Sequence, residues 1–157
     1  MKIVIEDDIF VTDNTHVVNT TFFLSYKNQK FPYDKWTDFT FPILEEWKYD
    51  LLRIKNAQNV ITTMSFHDGP YWLNVHKDNK MNLKIECIND RKDRFVAFVI
   101  ECKYCEFLES IYSTLKLFIK ILYKNNMYIG AFDSVYKQSI ISKNEIEEVL
   151  INLKKNS

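Results

Sequence analysis

Glycine, proline, histidine and cysteine are scarce in this chain: of 157 residues, two are Gly and three each are Pro, His and Cys. Each scarcity excludes something. With only Gly69 and Gly130, no glycine-rich phosphate cradle can form, and the G-x-S-x-G turn of a serine hydrolase is missing. Turns that need positive φ must fall to Asn and Asp, which are plentiful. The cysteines, Cys87, Cys102 and Cys105, are odd in number and do not make a secreted disulfide framework. The most apolar stretch, Phe107 to Tyr123, contains Glu109, Lys116 and Lys120, so it reads as no membrane span. Glu6, Asp7 and Asp8 stand where a signal peptide needs its apolar core, so the chain is expected in the reducing cytoplasm. No basic run suited to nucleic acid occurs. Formal net charge is +0, distributed as −3 through Asp78 and +3 beyond it.

What the chain does have is apolar and aromatic substance. Hydrophobic residues make up 46% and aromatics 15%, enough for the core of one compact domain. Alternation marks a first strand over Lys2 to Ile9, and a Val-, Thr- and Phe-rich run marks a second over His16 to Tyr26, turned by Asp13 and Asn14. Lys27 to Thr40 has no period and reads as a long connection. Pro42 suits the opening turn of a helix, with Leu44, Trp47, Leu51 and Ile54 on its apolar stripe. Val60 to Phe66, Tyr71 to His76, Met81 to Ile88 and Arg94 to Tyr104 follow as an antiparallel meander, because their connections are too short for crossover helices. A second helix is predicted from Cys105 to Asn125. A third is expected to start at Ser142, where Ser142 and Glu145 match a capping box. These elements predict a single α+β domain: an antiparallel sheet of about six strands with about three helices, mainly on one face.

Several motifs invite a chemical reading. Cys102 and Cys105, spaced C-x-x-C at the start of a helix, resemble a thiol-redox pair whose pKa the helix dipole would lower. All three prolines lie upstream, however, which leaves no candidate for the cis-proline that thioredoxins place beside their cysteines. A zinc site would need Cys87, His67 or His76 to join that pair, and no second closely spaced pair exists. Glu101 and Lys103, with Asp90 or Asp93 upstream, match the carboxylate and lysine pattern of metal-dependent nucleases, but E-x-K is frequent by chance and the basic surface is absent. His16, among Val and Thr in a strand, reads as structural. The expectation is therefore no catalytic residue, no metal and no cofactor, with the Cys102/Cys105 thiol or zinc protein as the alternative. A non-catalytic scaffold, dimeric through Leu117 and Ile121 on the far side of the second helix, is a further one.

Two segments stand out against this background. Phe31, Pro32, Tyr33, Asp34, Trp36, Asp38 and Phe39 form one; Phe66, Asp68, Gly69, Pro70, Tyr71 and Trp72 form the other. Aromatic rings belong inside and carboxylates outside. The expectation is that Trp36, Phe39 and Trp72 anchor the sheet to the first helix while the acids are displayed. The order of elements, the pattern Phe31-Pro32-x-x-x-Trp36-x-Asp38-Phe39, Trp47 on a helix and Asp68-Gly69-Pro70-Tyr71 together resemble small bacterial immunity proteins. Such proteins are encoded beside polymorphic toxins, including contact-dependent growth inhibition systems, and the resemblance spans roughly the first half of the chain. It implies a cytosolic protein without catalytic activity that binds one cognate toxin and blocks its active site or the approach of substrate. Acidic residues beside Tyr and Trp suit a basic protein partner. The expected contact set is Tyr33, Asp34, Asp38, Glu45, Glu46, Asp50, Asp68 and Tyr71. Nucleic acid and membrane are not expected as partners, and the chain is expected to be a monomer or weak dimer.

Overall fold

The structure, a computed structural model, describes residues 1–12 and 17–155. The expected turn at Asp13 and Asn14 and the strand position of His16 lie outside the described residues. Among these, nine strands and three α-helices form an α+β fold with two antiparallel sheets.

The first sheet is built around one long strand. β3 (Val17–Tyr26) pairs with β1 (Lys2–Ile5) and β2 (Phe10–Thr12), and with β4 (Gln29–Phe31) and β5 (Thr37–Phe39). The expected first strand is thus interrupted. Asp8 sits at the break, where its carboxylate accepts the Thr21 N–H at 3.0 Å and the Thr21 hydroxyl at 2.6 Å. On the other side of β3, the segment expected to be an open connection supplies both β4 and β5. Lys27 and Asn28 both take positive φ, as a two-residue hairpin turn that follows strand twist requires. Lys35, Asn59, Met81 and Asn126 also lie at positive φ, so lysine and methionine share with asparagine a duty that glycine scarcity imposes.

The second sheet is the meander. β6 (Val60–Ser65), β7 (Tyr71–Lys77), β8 (Asn82–Asn89) and β9 (Phe95–Lys103) pair in sequence order. Its alternation is clean in β7, where Tyr71, Leu73, Val75 and Lys77 are buried and Trp72, Asn74 and His76 lie on the opposite face. Trp72 therefore does not anchor the first helix. It lies on the outer face of the sheet, beneath the Arg94 guanidinium at 5.0 Å.

Helix α1 (Thr40–Ile54) packs against β3 and β6, and α2 (Tyr104–Lys124) against β1, β9 and α1. Helix α3 (Asp133–Lys155) lies on α2 and α1. Where capping-box spacing placed its start at Ser142, the helix begins nine residues earlier, after a 3-10 turn at Gly130–Phe132. Ser142 is buried within it. One cluster of apolar side chains runs through both sheets and all three helices. Its aromatic centre is Trp47, whose ring meets Phe22 of β3 at 5.6 Å, Phe66 beyond β6 at 5.2 Å and Phe107 of α2 at 6.0 Å. The Trp47 indole donates to the Ser65 carbonyl at 2.9 Å, so even this buried ring is satisfied. Ile121, expected with Leu117 on an uncovered helix face, is buried; Leu117 alone stays exposed, so the pair cannot form a dimer stripe.

Candidate functional site

The two aromatic and acidic segments meet in space, and Asp38 joins them. Its side chain is 1% exposed, so it is not displayed to a partner as expected. One carboxylate oxygen accepts the Trp36 indole N–H at 2.9 Å and the backbone N–H of His67 at 3.2 Å. The other accepts the backbone N–H groups of Phe39 at 2.8 Å and Asp68 at 3.1 Å. Burial pushes this carboxyl above its ordinary value, against the opposing pull of the Trp36 indole, the Phe39 and Asp68 amides and nearby His67. With both oxygens engaged, Asp38 is a structural knot between β5 and the β6–β7 turn. Nor does it cap α1, whose preceding residue, Phe39, makes no side-chain cap bond.

Aromatic rings fill the space around that knot. Trp36 stands edge-on to Tyr33 and Tyr71, each with centroids 5.1 Å away, and Tyr71 meets Phe31 at 5.8 Å. Tyr71 is itself buried, which removes it from the expected contact set. Gly69 holds the turn at φ +135°, and a Cβ there would lie 3.0 Å from the Trp36 ring and 3.1 Å from Tyr71. Conformation and space both demand glycine.

Four of the eight expected contact residues reach solvent around this base. Tyr33 is 45% exposed while its ring rests on Trp36. Asp34 is exposed and paired with Lys30 at 2.7 Å; that hydrogen bond holds its carboxyl below the ordinary value. Asp68 is exposed on the turn. Glu46 reaches across from α1 to His67 Nε2 at 2.7 Å. The remaining two are engaged away from this base: Asp50 is largely covered, and Glu45, partly exposed, turns toward α3. Asp50 accepts from Arg53 at 2.9 Å, and Arg53 also donates to Thr62 at 2.8 Å, which ties α1 to β6. Glu45 accepts from Lys48 at 2.7 Å and from the Ser142 hydroxyl.

That last cluster was not legible in the sequence. Lys48, 5% exposed, donates to Glu45, to Glu145 at 2.5 Å and to Ser142 at 3.1 Å. Serine beside lysine has the outline of a nucleophile and its base. Burial, the largest single influence, pulls the ammonium down, but Glu145 and Glu45 together raise it above its ordinary value. A charged lysine is no general base, and Ser142 is sealed from substrate. The cluster is a clamp between α1 and α3.

The other chemical motifs disperse. Cys102 ends in a partly buried strand position, and burial first, then Glu106 and Cys105, push its thiol up to about 11; burial pushes Cys87 up to about 12. The expected lowering by the α2 dipole is reversed at Cys102. His67 lies in the β6–β7 turn, whereas His76 pairs with Ile61 near the other end of that hairpin. Among the described residues, no three His, Cys, Asp or Glu side chains group as metal ligands. Asp90 bonds Arg94 at the β8–β9 turn, while Glu101 stands opposite Lys84 toward the far end of the strands. A hollow of about 730 Å³ lies at that far end, where Lys77 donates to the Ala57 carbonyl and Lys103 to Asn82, both at 2.5 Å.

Known family models, curated proteins and solved structures give no match to this chain. No helix among the described residues is long and apolar enough to cross a membrane.

Proposed function

We propose that this chain is a non-catalytic, toxin-neutralising immunity protein of the bacterial cytoplasm, whose aromatic and acidic platform docks on a basic surface of one cognate toxin domain. The observation that carries this reading is the combination of an exposed Tyr33 with Asp34, Asp68 and Glu46 on a base held rigid by Asp38 and Trp36. Tyrosine offers a large contact area at a small entropic cost, and a preordered base removes the ordering cost of a loop. Carboxylates at the rim accelerate encounter with a basic partner and reject acidic ones.

The decisive measurement uses whatever protein is encoded directly upstream. Co-expression should restore growth, and titration calorimetry should show a one-to-one complex. Double reversal of Asp34→Lys and Asp68→Lys should slow association about tenfold while leaving thermal stability unchanged, because both side chains are exposed. A neighbour that neither binds nor is neutralised would sink the proposal. Tight binding unaffected by the reversals would move the contact surface elsewhere.

A further inference from the structure

We draw no further inference here: the strongest candidate, the hollow at the far end of the second sheet, crossed by the in-register row Ile61, His76, Lys84 and Glu101, is lined by charges of both signs, and nothing in the structure shows what it would hold.

Discussion

Among individual residues, Asp38 and Asp34 show how little local chemistry says about placement. Both are aspartates beside aromatic rings in one nine-residue segment. One is exposed and held by Lys30; the other is buried under four N–H donors, two of which arrive from residues 29 and 30 positions away. An amide cannot replace that carboxylate, since either orientation of asparagine sets its NH₂ against two donors. Asp38→Asn should therefore cost about 2–4 kcal/mol by urea denaturation, whereas Asp34→Asn should stay within about 0.5 kcal/mol. Equal, small losses would mean that Asp38 does not join the two segments. The rings and acids of this site could be read in the sequence, but the division between buried and displayed acids could not.

At the level of elements, α3 is the instructive case. Its inward side carries Ser139, Ser142, Ile146 and Leu150, so half of the buried stripe is polar and hides the helical period. Ser142 with Glu145 then mimics a helix start, while their actual role is to meet Lys48 of α1. Lys48→Met should cost about 2 kcal/mol, because two carboxylates and a hydroxyl lose their shared cation; both glutamates remain partly solvated, which tempers the loss. The pH dependence has a definite sign. A lysine raised on folding above its ordinary 10.5 contributes stability fully below that value, and the contribution fades as pH rises through the raised one. Denaturation of wild type against Lys48→Met at neutral pH and near pH 11 should show the difference between them shrinking. A difference that stays constant would argue that Lys48 acts by packing alone.

For the molecule as a whole, both sheets share one core: Trp47 touches β3, Phe66 and α2, and Phe31 of the first sheet meets Phe98 of the second at 6.1 Å. Such a core leaves no natural place for partial melting. Far-ultraviolet dichroism and tryptophan fluorescence should report one coincident unfolding transition, and Asp38→Asn and Lys48→Met should each shift both probes together. Separate midpoints would show that the two sheets are distinct cooperative units.

The positions of α1, α2 and β6 to β9 follow from the sequence by itself, because apolar period and turn residues act within a few positions of each other. The α+β class follows from their order. Tertiary structure alone decided that the strands part into two sheets, that the connection after β3 folds into β4 and β5, and that Asp38 and Tyr71 go inside. Those outcomes depend on which distant groups supply a hydrogen-bond donor, a counter-charge or a covering ring. No local pattern records a partner thirty or a hundred positions away.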